Sequence, residues 1–151
     1  MRHAPNTLPI IVLCLFALTA TAAPLGVPFT LGIGESVVVG NGGLEVGFDI
    51  ILSDSRCPAD AYCFWEGDAA ADLWSDDPDG EPLGFVLHTT LYPQQVYTGD
   101  YRIELIWVAP YPMSSGVPIP PETYEVMLVV LSTVPTQDEA RTWGAVKTIY
   151  R

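Results

Sequence analysis

The chain has 151 residues, with 18 acidic against 6 basic side chains and a formal charge of −12. That balance disfavours nucleic acid and anionic lipid surfaces, because both repel it. Nearly half the residues are hydrophobic, which argues against intrinsic disorder, and the length suits one domain with one core.

The first 22 residues read as a secretory signal peptide. Arg2 and His3 give a short basic start, Leu8 to Leu18 is almost wholly apolar, and Thr19 to Ala23 is small. Ala20-Thr21-Ala22 has the form of an A-x-A cleavage site, which leaves residues 23–151 as a single mature domain. The apolar run falls short of the roughly 20 residues a membrane span needs. Lipidation at Cys14 is disfavoured, because Leu13 stands where a small residue would be needed. Cleavage removes Arg2 and no acid, so the mature charge is −13. The expected location is periplasmic or extracellular, with no membrane span after cleavage.

Beyond the signal, proline and glycine punctuate the chain about every ten residues, and the segments between them alternate apolar and polar. No window keeps the i, i+3, i+4, i+7 stripe of a long helix. The pattern predicts an all-β fold: one antiparallel β-sandwich of about seven or eight strands with a disulfide-closed loop. Phe29 and Leu31 mark the first strand. Ser36 to Val39 leads into Gly40-Asn41-Gly42-Gly43, a hairpin turn rich in residues that tolerate positive φ. Leu44 to Ser53 follows, with Leu44, Val46, Phe48 and Ile50 on one face.

The stretch from Asp54 to Gly67 holds both mature cysteines. An exported chain with an even mature count should pair Cys57 with Cys63, rigidifying an irregular connection. Five intervening residues do not make a redox C-x-x-C pair, and no second cysteine pair or histidine cluster completes a zinc site. Asp54 and Arg56 read either as a ligand-facing pair or as an ion pair holding the loop. Trp65 is either a contact aromatic or core packing beside the disulfide.

Asp54-Ser55-Arg56-Cys57-Pro58, followed by Cys63, Trp65 and Gly67, resembles the motif of a family of uncharacterised small exported bacterial proteins. The preceding apolar strand, the segment Tyr101 to Val108 and Pro110-Tyr111-Pro112 are also similar, so the likeness covers most of residues 28–131. It implies a bacterial envelope protein and carries no activity that could be transferred. Phe64 and Glu66 stand at the more variable positions of that motif.

Asp68 to Trp74 is a weaker, alanine-rich strand, and Ser75 to Gly80 is a turn by composition. Ser75-x-Asp77-x-Asp79-Gly80 resembles the start of a calcium loop but lacks the first aspartate and, at Val86, the twelfth-position glutamate. The acidic turn Asp76–Asp79 is therefore read as solvated, with weak metal binding as an alternative. Leu83 to Thr90 returns as a strand, and Leu91 to Asp100 reads as a loop. Tyr101 to Ala109 is the clearest strand, with Tyr101, Ile103, Leu105 and Trp107 on one face. A proline-rich loop runs from Pro110 to Glu122. Tyr124 to Ser132 is nearly continuous in apolar residues and so expected to be central. In the tail, Thr136 to Arg141 could start a short helix and Ala145 to Tyr150 could add an edge strand. The predicted core is Val46, Phe48, Ile50, Ile103, Leu105, Trp107, Val126, Leu128 and Val130.

Nothing composes a catalytic site. The mature chain has one histidine, His88, within a strand, and there is no G-x-S-x-G. No cofactor is implied, and the chain reads as a non-enzyme. The expected role is a non-catalytic exported binding or cell-envelope interaction module, with an envelope protein as partner. A small extracellular protease inhibitor is the alternative, because a stapled loop can block a cleft. Alternating strand directions should put the Asp54–Gly67 and Leu91–Asp100 loops at one end of the sandwich. The Gly40–Gly43, Ser75–Gly80 and Pro110–Glu122 connections should lie at the other. The first end gathers Tyr62, Phe64, Trp65, Tyr92 and Tyr97, either as contact residues or as plugs of the core.

Overall fold

The computed structural model describes residues 22–41 and 43–134. The signal segment, its cleavage site and the tail expectations beyond residue 134 lie outside these. Eight strands build the domain. They are β1 (Phe29–Gly32), β2 (Ser36–Val39), β3 (Leu44–Asp54), β4 (Ala69–Asp76), β5 (Leu83–His88), β6 (Gln95–Thr98), β7 (Tyr101–Ala109) and β8 (Glu125–Ser132), with one 3-10 turn at Pro121–Thr123. Among the described residues no helix is long and apolar enough to cross a membrane.

The strands form two four-stranded antiparallel sheets. The first is a plain meander, β2-β3-β4-β5, and the second has the order β1-β8-β7-β6. Each neighbouring pair within the meanders is joined by a hairpin or loop, so only β1–β2 and β5–β6 cross between sheets. β8 is interior, as its continuous apolar run requires. The two inner faces meet in one core that includes Leu44, Val46, Phe48, Leu73, Leu87, Ile103, Val108, Val126, Leu128 and Val130. At Gly40 and Gly43 the β2–β3 turn takes φ of 65° and 80°, values that disfavour side chains.

Two expectations fail, and each has a local cause. Ile50 and Trp107 are 43% and 50% exposed, not buried. The register of β3 against β4 shifts between Phe48 and Ile50, and that of β7 against β8 between Leu105 and Trp107. A bulge inserts one residue, and the side chains that follow it change face; in β3 a second shift between Ile51 and Ser53 reverses them again. Past the bulge in β7 it is Val108, not Trp107, that enters the core.

The second failure is the Leu91–Asp100 loop, which contains β6. This short strand, bounded by Pro93 and Gly99, pairs with Tyr101–Glu104 of β7. It adds one chain reversal, so every later connection changes ends. The Pro110–Glu122 loop therefore lies beside the disulfide loop: Ala59 N–H donates to the Pro112 carbonyl at 3.0 Å. Residues 89–94 share that end, while Gly99 and Asp100 turn at the other. There Gly99 packs against the Asp77 carboxylate, and Gly43 lies 3.3 Å, measured from an ideal Cβ, from Pro78. Ser75 and Asp76, expected in the turn, belong to β4.

Candidate functional site

The disulfide loop leaves β3 at Asp54 and returns to β4 after Asp68. Its base is a short ladder: Ser55 N–H donates to the Asp68 carbonyl (2.7 Å), and Cys57 N–H to the Glu66 carbonyl (2.9 Å). Gly67 holds φ at 76°, and a Cβ there would collide with the Ser55 carbonyl oxygen, so the ladder can close only over glycine. Cys57 and Cys63 are bonded. Inside the ring, Ala61 N–H donates to the Pro58 carbonyl (3.0 Å), folding Pro58–Ala61 into a turn.

Three aspartates fasten this loop to its neighbours. Asp54 accepts from Arg56 N–H (3.1 Å), Nε (2.9 Å) and Nη2 (2.6 Å), and from the Tyr124 hydroxyl (3.0 Å). The forked guanidinium then donates to the carbonyls of Val108 and Pro110 (2.5 and 2.8 Å). Those carbonyls lie past Glu104, where β6 no longer pairs with β7. Asp60 accepts from the Ser114 hydroxyl (2.8 Å) and Ser115 N–H (2.7 Å), tying in the proline-rich loop. Asp68 contacts His88 Nδ1 at 2.6 Å and accepts from Thr90 and Leu91 N–H at 2.9 and 3.3 Å, which fixes the β5–β6 connection.

The electrostatics follow from this bonding. Burial pushes the Asp54 carboxyl up, but the hydrogen bonds and charge of Arg56 outweigh it and hold the group below the usual carboxylate range. Asp68 behaves likewise: burial raises it, and the bonds from His88, Thr90 and Leu91 bring it below normal. The Tyr124 phenol is pushed up to about 12 by burial and by its bond to Asp54, so it remains a donor at any physiological pH. Arg56 and Asp54 are thus a buried, mutually satisfied pair. A hollow of about 340 Å³ opens above them and Tyr124, but its polar floor is already bonded internally.

The aromatic residues are distributed differently from a core plug. Tyr62 and Phe64 are fully exposed, Tyr92 nearly so, and Trp65 and Tyr97 about half. Tyr62, Phe64, Trp65 and Tyr92 sit on the loops of the disulfide end, whereas Tyr97 belongs to β6 and faces outward beside Glu104 over a separate hollow. The alternation of β7 hid two further residues. Trp107, re-aimed by the bulge, stacks on Tyr111 with ring centroids 6.2 Å apart and planes 23° apart. Tyr111 in turn donates its hydroxyl to the Cys57 carbonyl (2.7 Å), and the Arg56 guanidinium lies 5.3 Å from its ring centre. Between this pair, the exit of the disulfide loop at Glu66 and the threonines 89 and 90 is a cleft of about 260 Å³.

The acidic turn lies at the opposite end. Asp77 is buried, accepts from Asp79 N–H (3.2 Å) and gives the turn its shape. Among the described residues no three His, Cys, Asp or Glu side chains are arranged to hold a metal ion. No family model, curated protein or solved structure gives a significant match to this chain.

Proposed function

We propose that this protein is an exported, non-catalytic binding module whose contact surface is the disulfide end, with a protein of the bacterial cell envelope or its surroundings as partner. The observation that carries the reading is the full exposure of Tyr62 and Phe64 on either side of Cys63, which the disulfide ties to Cys57, in a loop whose flanks are hydrogen-bonded at Cys57, Asp60 and Glu66. Large apolar rings held in water by a rigid scaffold gain nothing for the isolated fold. They offer contact area at little entropic cost on binding. The resemblance of the Asp54–Pro58 motif to small exported bacterial proteins supports the same compartment, as does a disulfide, which persists in oxidising surroundings.

The test is retention of partners from a bacterial envelope extract by immobilised mature protein and by the double variant Tyr62→Ser/Phe64→Ser. Both side chains are exposed, so the variant should melt where the parent does. A partner retained by the parent and lost by the variant is the expected result. Identical retained sets would overturn the reading. An aromatic presented from a stapled loop also suits the apolar specificity pocket of a protease. If the retained partner is a protease that the parent slows and the variant does not, the module acts as an inhibitor.

A further inference from the structure

We propose that the cleft beside the disulfide loop binds an uncharged pyranose ring, with Trp107 as its stacking platform and Glu66 and Thr90 as its polar partners. The inference rests on the disulfide end being the contact end, but it uses none of the exposed rim residues. It starts from the bulge in β7. Without the register shift at Leu105/Trp107, the indole would enter the core, where burying a ring of that size is strongly favourable. The bulge leaves it 50% exposed instead. Bulges are over-represented beside active sites, where they re-aim a side chain, and this one delivers a tryptophan to the wall of a cleft.

The surroundings of the indole define what it can receive. Its platform is preorganised: Tyr111 stacks against it and is itself pinned to the disulfide ring through Cys57. At about 260 Å³ the cleft is smaller than the usual site for a drug-sized ligand, which suits a single sugar ring. The C–H face of a pyranose carries slight positive charge and complements the negative face of an aromatic ring. Among the described residues, the Glu66 carboxylate and the Thr90 hydroxyl in the walls have no hydrogen-bond partner. A carboxylate can accept from two neighbouring sugar hydroxyls, and a threonine hydroxyl can both donate and accept.

Other ligand classes fit less well. Arg56 lines the cleft, but its guanidinium is already bonded to Asp54, Val108 and Pro110 and neutralised by Asp54, so it offers no anion site. The overall negative charge further disfavours phosphorylated or acidic ligands. An extended peptide would need backbone carbonyls on the uncovered part of β7 and just beyond it, and those of Val108 and Pro110 are occupied. The cleft wall carries one carboxylate, Glu66, whereas glycoside cleavage ordinarily uses two, so the site binds without cutting.

The experiment follows the Trp107 indole N–H by NMR in the mature, oxidised protein. Glucose, galactose, mannose, N-acetylglucosamine and a proline-rich peptide are titrated separately to about 50 mM, well above a millimolar dissociation constant. At least one sugar should shift Trp107 saturably. Glu66→Gln should weaken that sugar severalfold, and Trp107→Ala should weaken it at least about tenfold, read from the Thr90 amide. Tyr62→Ser/Phe64→Ser should leave sugar binding unchanged, which separates this site from the rim surface. The inference is overturned if none of the four sugars shifts Trp107. It is equally overturned if only the peptide does, or if binding survives Trp107→Ala intact.

Discussion

Arg56 bonds to three separate parts of the chain: its own loop through Asp54, strand β7 through Val108 and the proline-rich loop through Pro110. Its planar fork supplies several donors at fixed angles, which a lysine ammonium cannot copy. Removing one member of a buried ion pair leaves the other charged and unpartnered. Arg56→Ala should therefore cost about 3–5 kcal/mol in urea denaturation, and Arg56→Lys should recover little of it. Asp54 and Asp68 give a matching pH dependence. Both ionise below the ordinary value in the folded chain, so the unfolded chain binds protons more readily. Their stabilisation is complete above the unfolded value and is lost as pH falls through the lowered folded values. The urea midpoint should thus decline below about pH 4, and Asp68→Asn should make that decline shallower. An unchanged slope in the variant would show that Asp68 is not a source of it.

At the scale of strands, period-two alternation works only as far as the first bulge. Val46, Phe48, Ile103, Leu105, Val126, Leu128 and Val130 point inward as their spacing demands, and β7 begins and ends where the pattern does. Ile50 and Trp107 violate it because a bulge depends on local twist and cross-strand partners that one strand's sequence does not contain. The contrast is measurable. Leu105→Ala and Leu128→Ala should each lose about 2–5 kcal/mol of stability, while Ile50→Ala should lose far less. A loss at Ile50 comparable to those at the two leucines would refute the assigned faces. β6 escaped notice for another reason. The four residues of Gln95–Thr98 give too little alternation to outweigh their turn-like neighbours. The reversal that β6 adds is what brings the proline-rich loop beside the disulfide loop. Loop placement depends on counting reversals, and one missed strand inverts every placement after it.

For the molecule as a whole, the disulfide end was legible in its chemistry and hidden in its assembly. Cys57, Cys63, Asp54, Arg56 and Gly67 stand together in sequence, and their local roles follow from residue type. Glu66, Thr90, Trp107 and Tyr111 come from three separate connections and a bulged strand, and only the folded chain brings them around one cleft. The same assembly bears on how copies of the protein behave toward one another. A half-covered strand at the margin of a sheet is an invitation to edge-to-edge pairing between molecules, the first step toward ordered aggregates. Here the Arg56 fork occupies the carbonyls of Val108, near the end of β7, and of Pro110 just beyond it, so a visiting strand finds those acceptors already bonded. Arg56→Ala should therefore do more than lower stability. Under conditions where the variant is still folded, light scattering should show concentration-dependent association that the parent lacks, despite an even larger net negative charge. At the Val108 and Pro110 carbonyls a single guanidinium thus stands in for the half-strand that β6 does not supply.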